Sequence, residues 1–147
     1  MQHPTAARSC QTRWDDFIDW CDEQLAGRVL LTPQARDSIR KAEFEDVSQA
    51  ARCLLWLGNE FLEAKLTGVG RSLNDHSIEP GVRNAYSGTD EFDMEWQGTT
   101  QHVEWHIKNG GNTRKPRRCL RIYYSWDEAF QQVVIASLPA HRRSDAS

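Results

Sequence analysis

Near residue 91 the hydrophobic period of this chain changes, and that change limits what it can fold into. Before it, apolar residues recur at helical spacing: Trp14, Phe17, Ile18, Cys21 and Leu25, then Val47, Ala50, Ala51, Leu54, Leu55, Leu57, Phe61 and Leu62. After it they alternate with polar ones. Phe92, Met94 and Trp96 are interleaved with Asp93, Glu95 and Gln97, and Val103, Trp105 and Ile107 with His102, Glu104, His106 and Lys108. Leu120, Ile122, Tyr124 and Trp126 alternate in the same way with Arg121, Tyr123 and Ser125, and Val133 to Leu138 is a last apolar run. A helical first half and an alternating second half predict an α+β fold, with N-terminal helices packed on a C-terminal antiparallel β-sheet. Alternation of this kind implies one buried face and one polar face.

The chain has 147 residues, the size of one domain. We read residues 1–11 as a flexible lead, 12–143 as a single domain and 144–147 as a flexible tail. Thr12 is a candidate N-cap for a helix over 13–26, with Asp15 and Asp16 in its first turn and Gly27 as its stop. Arg28 to Leu31 reads as a short strand. Thr32 and Pro33 read as the cap and first position of a helix to Lys41, and Asp46 as the cap of a third helix that runs to about Leu66. The third helix is apolar on more than one side, so it should be buried on more than one side. Residues 67–90 are rich in Gly, Ser and Asn with little periodicity, and read as a long connection.

Composition excludes several classes. With 39% apolar and 27% charged residues the chain builds a core. Its 6 tryptophans are many for this length, and several should be buried in packing. It contains no apolar run of about 18 residues, so no membrane span is expected. The start lacks the charged and apolar segments of a secretory signal, so a cytoplasmic protein is expected. Cys10, Cys21, Cys53 and Cys119 form no CxxC pair, and Cys21 and Cys53 lie on apolar helix faces as small buried hydrophobes. No metal and no cofactor is implied: His102 and His106, four apart on a strand, stand about 13 Å from each other, and there is no P-loop, GxGxxG or GxSxG.

Charge is divided unevenly. Residues 1–100 carry 10 basic and 17 acidic residues, a net −7, and residues 101–147 carry 8 and 4, a net +4. A basic segment of this kind suits nucleic acid, or simply attracts the acidic half. On a strand, residues two apart face the same way. His106 and Lys108 therefore share a face, as do Arg121 and Tyr123 on the next strand, and the four are expected to converge on one polar stripe closed at its end by His141 and Arg142. The intervening loop, Asn109 to Arg118, adds Arg114, Lys115, Arg117 and Arg118 and no acid. Cations neutralise phosphates, glycine lets backbone approach closely, and Tyr or His stacks on a base. The plain alternative is a solvated basic loop beside cross-strand neighbours, with Glu104 pairing with Arg121 at little gain. Asp90, Glu91, Asp93 and Glu95 read as a solvated edge that resists edge-to-edge pairing.

Two segments resemble a known family. RVLLTPQARDSIRKAEFEDVSQAARCLLWL (28–57) is similar to the opening of RelE/ParE-type toxins, a short strand, a Thr-Pro entry into a helix and a second helix ending in Leu-rich turns. RCLRIYYSWDEAFQQVVIASLPAHRR (118–143) is similar to their close, an Arg-Ile-Tyr strand, an acidic turn, an aliphatic strand and His-Arg. Together they cover roughly 56 of 147 positions. The resemblance implies a small αβ sheet domain and RNA cleavage without a metal, or binding of gyrase. It places Arg121, Tyr123 and His141 where such toxins carry functional residues. An extra N-terminal helix, the 67–90 connection and an acidic balance depart from the compact, basic pattern of the family.

These readings converge on an RNA-directed, metal-independent endoribonuclease. Arg121 and Lys108 would hold the scissile phosphate, His106 or His141 would act as general base or acid, and Tyr123 would position a base. The alternative is a non-catalytic interaction module of a toxin–antitoxin or phage-defence system, using exposed aromatics to bind an antitoxin-like protein partner.

Overall fold

The computed structural model describes residues 13–68, 73–88, 91–110 and 115–141. The expected Thr12 cap, Cys10, both predicted tails, Asp90, Arg114 and Arg142 lie outside the described residues.

A 3₁₀ turn at Trp14–Asp16 leads into α1 (Phe17–Gln24), and Gly27, with φ 77°, ends this segment. Strand β1 (Val29–Leu31) follows, then α2 (Pro33–Arg40). The α2 cap is Thr32, whose Oγ1 accepts the Ala35 N–H at 3.1 Å. Helix α3 (Val47–Trp56) is capped by Asp46, which accepts from the Gln49 N–H at 3.0 Å. It passes through a π-helical turn (Leu57–Phe61) into α4 (Leu62–Thr67), and Gly68, at φ 64°, closes it. Gly58 lies in the π turn for a packing reason: a Cβ there would stand 3.1 Å from Leu25 Cδ2 and 3.2 Å from Val29 Cγ2.

Residues 67–90 correct the sequence reading. They are no plain connection, since β2 (His76–Glu79) and β3 (Val82–Tyr86) form a hairpin about Pro80 and Gly81. A second correction concerns the alternation over residues 102–108. One continuous strand is expected there, yet β5 (Thr99–Val103) and β6 (Trp105–Asn109) are separated at Glu104. Strand β5 pairs with β4 (Phe92–Trp96) as a separate two-stranded sheet. Strands β7 (Arg121–Asp127) and β8 (Gln132–Ser137) complete a six-stranded main sheet in the order β1-β8-β7-β6-β3-β2. All its pairings are antiparallel except β1 with β8, which is parallel.

The helices cover one face of this sheet. Phe17, Leu25, Ile39, Leu54, Leu57 and Phe61 share a core with Val82, Trp105, Ile107, Ile122, Tyr124, Val133 and Ile135. Cys21 and Cys53 are fully buried there, as expected, and burial pushes both thiols up. Trp20, Trp56 and Trp105 are buried as well. The opposite face is not the open polar face that alternation implies. Val103, Tyr123 and Ala136 form a second cluster with Phe92 and Met94, so the β4–β5 hairpin lies over part of it. The break at Glu104 makes this possible, because Val103 and Trp105 then bury on opposite sides of the main sheet. Among the described residues no helix is long and apolar enough to cross a membrane.

Candidate functional site

The sheet register brings together the predicted residues that lie on strands. Lys108 is directly opposite Arg121, and His106 directly opposite Tyr123, on β6 and β7. Ile107 and Ile122 point into the helix-covered core, so these four side chains stand on the other face.

The two rungs differ in depth. On the inner rung His106 is 7% exposed and Tyr123 is 0% exposed. The His106 ring lies 5.9 Å from that of Tyr123, and its Nδ1 is 3.0 Å from Ser87 Oγ. Phe92 of the hairpin meets Tyr123 edge to face at 6.1 Å. Tyr123 is therefore packed beneath β4–β5, with no free face on which a base could stack, and His106 is buried between Tyr123 and Ser87.

The outer rung reaches solvent. Lys108 is exposed and Arg121 half-buried. The Arg121 guanidinium donates to the carbonyls of Leu120 (2.8 Å) and Asn109 (3.5 Å), and its backbone N–H to the Pro139 carbonyl at 2.7 Å. That last bond holds the segment after β8 beside Arg121, and half-buried His141 follows Pro139 by two residues. Asn109 clips the base of the basic loop: Nδ2 donates to the Arg118 carbonyl and Oδ1 accepts the Leu120 N–H, each at 2.9 Å. Lys115, Arg117 and Arg118 are exposed. Arg117 is turned toward the α2–α3 loop, 3.3 Å from the Glu45 carboxylate. Glu104 sits at the break between β5 and β6, where its carbonyl accepts the Ser87 N–H at 2.7 Å, and forms no ion pair with Arg121 among the described residues.

One further candidate lies in residues 67–90, a segment whose sequence reads as a connection. Strand β3 places Arg83 directly opposite Lys108, on the side away from Arg121. Three cations thus stand side by side across β3, β6 and β7, spanning about 10 Å at the strand spacing of antiparallel sheets. The sequence signal for this strand is the Pro80 and Gly81 turn alone; the structure buries Val82 and Asn84 on either side of Arg83. Arg83 donates to the Asp75 carboxylate at 2.7 Å, and also to the Asp75 carbonyl. Hydrogen bonding to Arg83, with the charges of Arg83 and Lys108, holds the Asp75 carboxyl below its usual range.

A further charged cluster lies on the covering hairpin. His102 Nδ1 is 2.7 Å from Asp93 and its Nε2 is 2.9 Å from Glu91, and these carboxylates, Asp93 foremost, raise the pKa of the imidazole. Asp93 and Glu91 therefore serve as local partners of His102 as well as solvated edge charges. Among the described residues no group of His, Cys, Asp and Glu is placed to hold a metal ion. Comparison with family models, with curated proteins and with solved structures finds no match.

Proposed function

We propose that this chain is an RNA-directed protein of the RelE/ParE toxin type that grips the phosphate backbone at the outer rung of its main sheet, and that it cleaves RNA without a metal. One observation carries the reading: Lys108 and Arg121 are like charges directly opposite one another, with no carboxylate within ion-pairing distance of either among the described residues. Like charges across a strand pair destabilise a sheet, and a site that retains them gains when an anion binds. In this reading Lys108 and Arg121 hold the scissile phosphate and stabilise the charge that develops on it. His141, two residues beyond the Pro139 carbonyl that binds the Arg121 N–H and partly open, is the proton-transfer group. His106 and Tyr123, both buried, support the rung from below and do not touch substrate. Lys115 and Arg118 extend the positive surface along the RNA.

The test is incubation of the purified protein with a mixed single-stranded RNA pool in EDTA, beside Arg121→Ala. Cleavage by the wild type, reduced about 10²- to 10³-fold in the variant, is the expected result. Equal cleavage by both proteins would remove Arg121 from the site.

A second reading, a non-catalytic module that binds an antitoxin-like protein, is favoured by the complete burial of Tyr123 and by Phe130, which is 68% exposed on the β7–β8 turn. Absence of cleavage with or without ribosomes, together with recovery of a defined protein partner that Phe130→Ser releases, would favour this reading over the first.

A further inference from the structure

Arg83 lies on β3 and Asp75 immediately before β2, outside the two segments that resemble RelE/ParE toxins. Their geometry nevertheless extends the outer rung. Direct cross-strand partners face the same way. Register therefore places Arg83, Lys108 and Arg121 in one row, with Lys108 between two arginines. Arg83 keeps 45% of its side chain exposed and Asp75 keeps 74%. Their ion pair is therefore a solvent-facing contact of small stabilising effect. Asp75 is the one carboxylate paired with this row among the described residues, and it engages Arg83 at the end of the row. It holds that position from a left-handed backbone conformation, φ 61°, that a β-carbon disfavours. The base of the basic loop is tied to the same hairpin, since the Gly110 N–H donates to the Gly81 carbonyl at 2.7 Å.

We propose that Arg83 is a third phosphate-binding cation of this site, that Asp75 occupies it in the free protein, and that a polyanionic strand displaces Asp75 on binding. This rests on the reading of the rung as a nucleic-acid surface and adds a built-in competitor to it. A carboxylate that must be displaced weakens every complex that reaches Arg83 by the strength of its pair.

The experiment is fluorescence anisotropy of a labelled oligouridylate 20-mer titrated with wild type, Arg83→Ala, Asp75→Asn, the double variant and Lys108→Ala, from 50 to 200 mM salt. Glu23→Gln, on the exposed face of α1, controls for the change in net charge. Arg83→Ala should weaken binding and reduce the magnitude of the logarithmic salt slope by about 0.7, the value of one single-strand phosphate contact. Asp75→Asn should tighten binding about two- to fivefold, the equivalent of one exposed ion pair, and Glu23→Gln should not. In the double variant the gain should vanish, because Asp75 acts through Arg83. Binding that depends on Lys108 but is untouched by Arg83→Ala would overturn this inference and leave the rung reading intact. Tightening by Glu23→Gln equal to that by Asp75→Asn would overturn the competitor. No binding by the wild type would overturn both.

Discussion

Tyr124 and Asn84 show how one buried pair constrains the sheet. Both are fully buried, the tyrosine on β7 and the asparagine on β3, with β6 between them. The Tyr124 hydroxyl donates to Asn84 Oδ1, while Asn84 Nδ2 donates to the Leu73 carbonyl at 2.9 Å. Burial holds the phenol pKa well above its ordinary value, so the hydroxyl remains a donor. Tyr124→Phe keeps the ring, which packs edge to face with Phe61 at 5.3 Å, but strands the amide oxygen. The expected cost is about 1–3 kcal/mol in urea unfolding, and a change below about 0.5 kcal/mol would mean that water replaces the hydroxyl. Depth separates the predicted site residues in the same manner. Their shared face of the sheet was legible from alternation, and the register pairs Lys108 with Arg121 and His106 with Tyr123. Which of them meets solvent was not legible, because period two reports only the side of the sheet and says nothing of what covers it.

At the scale of elements, the capping residues were the most readable signals. Thr32 both caps α2 and donates to the Ile135 carbonyl at 2.9 Å, so one hydroxyl joins a helix start to β8. Thr32→Ala should cost about 1–2 kcal/mol, and Thr32→Ser, which keeps both bonds, should recover most of it in the same denaturation assay. The β4–β5 hairpin carries a pH-dependent contact in His102, Asp93 and Glu91. Its folded pKa is raised, so the stabilisation is fully present below the ordinary imidazole value of 6.5 and is lost as pH rises through the higher folded value. Nuclear magnetic resonance titration should place the His102 midpoint above 6.5, and His102→Gln should abolish the corresponding decline in hairpin amide protection. A midpoint at or below 6.5 would remove the clamp. The β2–β3 hairpin was the least readable element. Its residues His76–Glu79 and Val82–Tyr86 are mostly polar, since only Val82 and Asn84 of β3 are buried, and such strands are specified by neighbours more than by their own pattern.

Across the whole molecule, strands about 100 positions apart meet: β1 lies parallel to β8 in the register Val29 with Val133 and Leu31 with Ile135. That pairing joins the two segments in which the resemblance was noticed, and puts β8 between β1 and β7. Local periodicity determined most of the elements and the α+β class, because helical and extended backbones repeat at 3.6 and 2 residues and each must bury its apolar stripe. Residue chemistry determined that residues 101–147 are basic, with Lys108 and Arg121 on strands and Lys115, Arg117 and Arg118 in the loop between them. Only the tertiary structure decided that Glu104 breaks a run of alternation, that a hairpin turns back over Tyr123, and that Arg83, 25 positions before Lys108, stands beside it. Those outcomes arise from contacts between segments distant in sequence, where the energy of covering a second apolar patch outweighs the preference of any single strand.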